Sequence, residues 1–181
     1  MRIISGSLGG LRFTPPKGKF DTRPTTDLAR EALFNILDHQ YSLKSSRFLD
    51  LFGGWGGITF EAVSRGCKDS TVVDRHASCI RFIKDTAQKF KVEEYIHFVQ
   101  SDVEQFLKYE MTPFDIIFAD PPYRWPKLPI LPKWIFDNGL LSPGGVLVVE
   151  HDAHTYLEHY PEFTHSKKYG HTVFSFFKCP V

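Results

Sequence analysis

The segment Phe114-Asp115-Ile116-Ile117-Phe118 is apolar at every position but one. A strand of that kind is buried on both faces, and sheets covered on both faces are built from parallel strands joined by helices. The rest of the chain supplies the units. Phe48-Leu49-Asp50-Leu51-Phe52 reads as a strand running into a glycine cluster, and Gly57 to Arg65 as a helix ending at Gly66. Thr71-Val72-Val73 is a second strand, and Ile80, Ile83, Ala87 and Phe90 give the next helix its buried face. Residues 96–99 form a third strand, followed by a short helix through Phe106 and Leu107. After the fourth, residues 114–118, comes a fifth at 146–149, introduced by Pro143-Gly144-Gly145. Phe163 to Lys178 reads as an antiparallel pair turning near Gly170. The predicted fold class is α/β: a doubly wound, mostly parallel seven-stranded sheet.

Ahead of these units, residues 1–14 read as a β-hairpin around Ser7-Leu8-Gly9-Gly10. A Pro/Gly/Lys-rich connector follows, and Thr26-Asp27 opens a helix with the apolar stripe Leu28, Ala32, Leu33, Ile36 and Leu37. Two regions are expected: a hairpin and basic connector over 1–24, and the sheet domain over 25–181. The net charge is only +1, but residues 1–24 hold Arg2, Arg12, Lys17, Lys19 and Arg23 against the single acid Asp21. That excess suits either a face for nucleic-acid phosphates or a solvated basic edge.

The 181 residues fit one domain, and 42% hydrophobic with 24% charged residues is an ordinary soluble profile. No apolar run approaches the roughly 20 residues of a membrane span, and Met1 to Gly6 lacks the apolar stretch of a secretory signal. The expected location is cytoplasmic. Cys67, Cys79 and Cys179 stand far apart and read as reduced thiols, while His151 and His154 read as solvated or capping rather than metal-binding. No metal is expected, and a monomer is.

Open sheets of this type bind ligands beyond the carboxyl ends of their strands. Asp50, Asp74, Asp102 and Asp120 sit at or just past four successive ends, although each alone also suits a helix N-cap. The loop Asp50-Leu51-Phe52-Gly53-Gly54-Trp55-Gly56-Gly57 has Thr59 where a dinucleotide fingerprint needs its third glycine, and there is no G-K-[ST] phosphate loop. Asp74, about 20 residues on, is placed to accept hydrogen bonds from ribose hydroxyls, and Asp102 to meet an adenine amine. A ligand with ribose and adenine but no phosphates suits S-adenosylmethionine. Asp50 would hold the cofactor's amino-acid end or the loop itself. Phe52, Gly54, Gly56 and Val103 complete the expected cofactor-binding set.

Ala119-Asp120-Pro121-Pro122-Tyr123 ends the most hydrophobic strand. An exocyclic amine on a base is a poor nucleophile, because its lone pair is delocalised into the ring. Methyl transfer needs that pair turned toward the sulfonium carbon. The Asp120 carboxylate and the Pro121 carbonyl would accept the amine's two hydrogens, and the prolines restrict the backbone that presents them. Tyr123 offers a face on which an extruded base can stack. Trp125 is either a second such face or a lid for the core.

The D-P-P-Y sequence below a glycine loop resembles the amino-methyltransferases at large. Arg2-Ile3-Ile4-Ser5-Gly6, Arg23-Pro24-Thr25-Thr26-Asp27, Arg30-Glu31 with Leu33-Phe34-Asn35, and Glu61-Ala62 with Ser64-Arg65-Gly66 are similar to the bacterial RsmD family, in order along essentially the whole chain. The resemblance implies a Rossmann-like methyltransferase acting on the N2 amine of one guanine in small-subunit (16S) ribosomal RNA, free or in an assembling subunit. It also implies Asp120 to Tyr123 as the catalytic motif, and Gly54, Gly56, Asp74 and Asp102 as cofactor contacts. Two departures stand out. The family's loop usually reads F-A-G-[ST]-G, where this chain has Gly53 and Trp55, and many relatives carry an acid where it has His76. The alternatives are a DNA adenine-N6 methyltransferase, for which 181 residues leave little room to read a sequence, and a non-catalytic RNA- or nucleotide-binding module.

Overall fold

The computed structural model describes residues 1–16 and 25–181. Its seven strands are β1 (Arg47–Leu51), β2 (Asp69–Asp74), β3 (Ile96–Gln100), β4 (Phe114–Ala119), β5 (Leu141–His151), β6 (Phe163–Tyr169) and β7 (Thr172–Lys178). They lie in the order β3-β2-β1-β4-β5-β7-β6. The first five run parallel, and β7 inserts antiparallel between β5 and β6. The apolar segment that predicted a doubly covered strand is β4, at the sheet's centre between β1 and β5. Its residues Ile116, Ile117, Phe118 and Ala119 are fully buried.

The helices are α1 (Asp27–Gln40), α2 (Gly57–Ser64), α3 (Ala77–Phe90), α4 (Val103–Tyr109) and α5 (Leu131–Asp137). Thr26 caps α1 as its position suggests, its hydroxyl accepting from the Ala29 N–H at 3.2 Å. The buried stripe differs from the expected one. Leu28 is 70% exposed, and the inward residues are Ala29, Arg30, Leu33, Phe34 and Leu37. A 3.6-residue period fits both stripes, and the bulk of Phe34 against Phe48 of β1 decides between them. Helix α5 and the turn before it were not legible, because Pro129 and Pro132 look like breakers in sequence. Pro132 instead sits in the first turn of α5, where its missing N–H costs nothing. Strand β5 begins earlier than Val146, and a register shift against β4 between Phe114 and Ile116 absorbs the glycines.

The N-terminal hairpin is reduced to one antiparallel bridge, Arg2 to Arg12, flanked by the bonds Ile3 N–H to Leu11 O and Phe13 N–H to Met1 O. Further pairing is replaced by a side chain. The Ile4 and Ser5 N–H groups donate to the Glu61 carboxylate of α2 at 2.8 and 3.1 Å. Ile3 and Phe13 are buried against Phe60, Val63 and Ile83, so the hairpin shares the core of the sheet's outer face. No helix among the described residues is long and apolar enough to cross a membrane.

Candidate active site

A cavity of about 760 Å³ opens beyond the carboxyl ends of β1, β2 and β4. It brings together Asp50, Asp74, Asp102 and Asp120, and its wall also carries Phe52, Gly54, Val103, Pro121, Pro122 and Tyr123. The crevice lies where strand order reverses, between β1 and β4. Gly56 is placed differently. It caps α2 with φ +84°, and a Cβ there would lie 3.0 Å from both Ile83 and Phe60, so it serves the turn and the packing behind the cavity wall.

The loop after β1 is held by Asp74, which ends β2. One carboxylate oxygen accepts from the Gly54 N–H at 2.9 Å, the other from the His76 N–H at 2.8 Å. These bonds fix the carboxylate at the cavity wall while leaving lone pairs for hydroxyl donors. His76 lines the same wall, beside Asp74. Phe52 adopts φ +62°, rare for a residue with a Cβ, and its ring packs edge-on against Trp125 at 5.1 Å. Trp125 thus both lines the cavity and covers the core through Phe52 and Trp134.

The two departures in the loop find physical accounts here. A Cβ at Gly53 would lie 2.2 Å from Val72 Cγ2, so the β-branched Val72 leaves no room for alanine. The indole of Trp55 packs edge-on against Phe82 of α3, with centroids 5.3 Å apart. Asp102 takes the capping role open to any of these acids, accepting from the Glu104 N–H at 2.9 Å at the start of α4, and also faces the cavity.

Asp50 is buried beneath the loop and accepts from the Thr59 N–H at 3.1 Å and hydroxyl at 2.6 Å. Burial pushes its carboxyl up to about 7, opposed by the two Thr59 bonds and helped by the nearby Asp74 charge. An acid whose folded pKa lies above its unfolded value contributes stability below the unfolded value, lost as pH rises through the folded one. Asp50→Asn should therefore raise stability by about 1–2 kcal/mol at about pH 8 and by nothing near pH 4. Thermal melts across that range check it; a gain independent of pH would assign the effect to packing.

Asp120 follows β4, its N–H bonded to the Leu51 carbonyl at 3.3 Å, and the Pro122 carbonyl accepts from the Trp125 N–H at 2.7 Å to close the turn. Burial, then the charges of Glu150 and Asp50, push Asp120 well above the usual carboxylate range. Tyr123 stands at the mouth, 39% exposed, a ring free to meet a planar base.

Two residues that bear on the site escaped the sequence reading, one in the cavity wall and one behind it. Arg30 is buried on the inner face of α1, ion-paired with Asp27 at 2.8 Å, and its Nε has no hydrogen-bond partner. Its Nη1 lies 3.3 Å from where a Cβ on Gly57 would stand, at the start of α2, which has no side-chain cap. Asp50 takes the Thr59 N–H of that first turn, and a guanidinium beside the start of a helix is a seat for a carboxylate. Asp74 offers acceptors for ribose hydroxyls across the same cavity. These residues fit S-adenosylmethionine, whose amino-acid end is anionic at its carboxylate. The second residue, Glu150, is the next-to-last residue of β5, and its charge acts on Asp120.

Together the fold and the cavity define a Rossmann-like methyltransferase. The chain belongs to the RsmD family: the family model described as "Conserved hypothetical protein 95" matches residues 1–178. The YlbH protein of Bacillus subtilis (strain 168) is 35% identical over 188 residues, covering 98% of this chain and 98% of that protein. "Ribosomal RNA small subunit methyltransferase D" of Escherichia coli (strain K12) is 33% identical over 151 residues, 83% of this chain and 74% of that protein. Among solved structures, yhhF from Escherichia coli superposes with a TM-score of 0.87 at 28% identity, covering 99% of this chain and 98% of that one. An RNA methyltransferase from Salinibacter ruber in complex with S-adenosyl-L-homocysteine shares the fold, with a TM-score of 0.69 at 14% identity over 87% of this chain and 94% of that one.

Proposed function

We propose that this protein transfers the methyl group of S-adenosylmethionine to the exocyclic N2 amine of a guanine in small-subunit (16S) ribosomal RNA. The observation that carries the reading is the Asp120-Pro121-Pro122-Tyr123 corner in the wall of the same cavity as Asp74 and the glycine loop. The donor supplies an electrophilic methyl on a sulfonium. The chain's part is orientation. Asp120 and the Pro121 carbonyl take the amine's hydrogens, Tyr123 stacks the base, and Phe52, Gly54, Asp74, Asp102 and Val103 hold the cofactor. Small-subunit RNA is the substrate that the relatives' name states, and N2 of guanine is the position that the resemblance to the RsmD family implies. Cytoplasmic action, on free RNA or an assembling subunit, follows from that substrate. The test is incubation with radiolabelled cofactor and small-subunit RNA, then digestion to nucleosides. N2-methylguanosine is expected; label in N6-methyladenosine would overturn the assignment in favour of the adenine chemistry that the same corner can serve.

Residues 1–24 form, in this reading, the RNA-contacting part, and 25–181 the methyltransferase domain. Arg2 and Arg12 face each other across the bridge and are exposed, Arg2 lying 3.6 Å from Asp27. Lys17, Lys19 and Arg23 lie outside the described residues. Charge reversal at those three should weaken RNA binding and flatten its salt dependence by about 2–3 in the log–log slope. An unchanged slope removes them from the footprint.

Arg30 has the same standing toward the cofactor. Arg30→Ala should weaken S-adenosylhomocysteine by about 10–100-fold, the worth of a charged hydrogen bond, and 5′-methylthioadenosine by no more than about twofold. The second ligand lacks the amino-acid end. Calorimetry on both separates the roles, since equal losses would make Arg30 a scaffold residue.

A further inference from the structure

Glu150 is a buried acid that the proposed chemistry leaves without a task. It is 2% exposed, yet among the described residues its hydrogen-bond partners are two hydroxyls and no cation. Thr25 donates to one carboxylate oxygen at 2.7 Å and Thr172 to the other at 3.2 Å. Two hydroxyl donors, one per oxygen, favour the ionised form and oppose the upward push that burial gives this carboxyl. An unpaired buried charge is costly to keep unless something uses it.

Position shows what could use it. Strands β4 and β5 are parallel neighbours with Ala119 opposite Val149, so Asp120, just past β4, and Glu150, next to last in β5, each stand one step beyond that pair. Thr25 lies just before α1, and Thr172 opens β7. Segments from both ends of the chain thus converge on the back of the catalytic corner.

We propose that Glu150 is a positioning residue of the methyl-transfer site, acting through Asp120, with Thr25 and Thr172 holding its carboxylate in place. The proposal rests on the reading that this cavity binds S-adenosylmethionine. Glu150 keeps a negative charge behind Asp120, and two adjacent carboxyls in a buried crevice retain one proton between them. Burial pushes both carboxyls up, but the two hydroxyl bonds oppose the push on Glu150 while the Glu150 charge adds to that on Asp120, so the shared proton resides on Asp120. The other titratable groups on this wall include Asp50 in β1, Asp74 at the end of β2 with Arg75, His76 and Cys79 after it, Asp102 before α4, Tyr123 and Arg124 in the same turn and Arg30 from α1.

With a sulfonium in the cavity, its positive charge offsets that of Glu150, and Asp120 gives its proton to solvent. The freed carboxylate is then the stronger acceptor for an amine hydrogen. During transfer the nitrogen lone pair forms the N–C bond, the C–S pair stays on sulfur, and the nitrogen's surplus proton passes to Asp120. Glu150 thereby sets when Asp120 is an acceptor and how readily it takes that proton back.

Proton linkage tests this directly. Calorimetric binding near neutral pH, in two buffers of different ionisation enthalpy, counts the protons released with S-adenosylmethionine and with S-adenosylhomocysteine. The two ligands differ by the sulfonium charge. Wild type should release more protons with the former, and Glu150→Gln should cut that difference by at least about half, while Glu150→Asp keeps it. Asp50, present in every variant, sets the remainder. A structural clamp would change stability and leave the proton count alone. An unchanged difference in Glu150→Gln overturns the proposal, as does an unchanged difference in Asp120→Asn, which is read even where Glu150→Gln does not fold. No binding of either ligand by wild type would instead sink the cofactor assignment on which the proposal rests.

Discussion

Replacing Asp120 by alanine should cut methyl transfer by roughly 10²–10³-fold while leaving cofactor affinity within about threefold of wild type. In the proposed reaction the carboxyl is one of two acceptors that fix the amine. Without it the lone pair is no longer held on the axis of the methyl carbon, and misplacement by about 1 Å is worth about 10²-fold in rate. The fold should survive. Asp120 is held above its ordinary range by burial and by Glu150 and Asp50, so the native state carries a cost at that position which alanine removes. Single-turnover rates at saturating cofactor, with calorimetry on the same variant, read the two effects separately. Near-normal turnover would show that the amine's acceptor lies elsewhere.

The largest stability effect is expected far from the chemistry. Glu61→Ala should cost about 3–5 kcal/mol, the penalty for removing one partner of a buried ion pair. The Glu61 carboxylate is fully buried in α2. It accepts from Ile4 N–H at 2.8 Å, Ser5 N–H at 3.1 Å and Arg65 Nε at 2.9 Å, and lies 3.9 Å from Arg30 Nε. Its loss strands two backbone donors and leaves two guanidinium groups without the shared charge between them. Chemical denaturation measures the cost, and faster amide exchange over residues 3–5 should accompany it. A loss under about 1 kcal/mol would mean that water or Asp27 and Asp38 take over the same donors. Because Arg30 also lines the cavity, this variant should loosen the cofactor site as well.

Both predictions bear on how the site could be found from the sequence. Asp50, Asp74, Asp102 and Asp120 were legible because each stands at or just past the carboxyl end of a strand whose apolar pattern is plain, and strand ends share one crevice in a parallel sheet. The same rule reaches Glu150, which follows the apolar run 146–149. The signal was present there, but β5 is also the strand against which the antiparallel pair packs, so its end did not advertise a ligand. Arg30 gave a weaker signal, since a lone arginine beside an apolar stripe reads as the stripe's solvated border. Only the choice between two stripes, made by Phe34 against Phe48, turned it inward.

Alternation of strand and helix patterns, acids at strand ends and the D-P-P-Y corner are local or periodic features, so the sequence by itself determined the α/β sheet and the crevice in which those acids and that corner meet. Which strands became neighbours beyond β4 depended on long-range packing, as did the turn of Arg30 toward the cavity and the meeting of Thr25, Thr172 and Glu150 behind Asp120. Those contacts join residues 125 and 22 positions apart. Their partners are specified only once the core has formed, because a carboxylate in an unfolded chain is solvated and selects no neighbour.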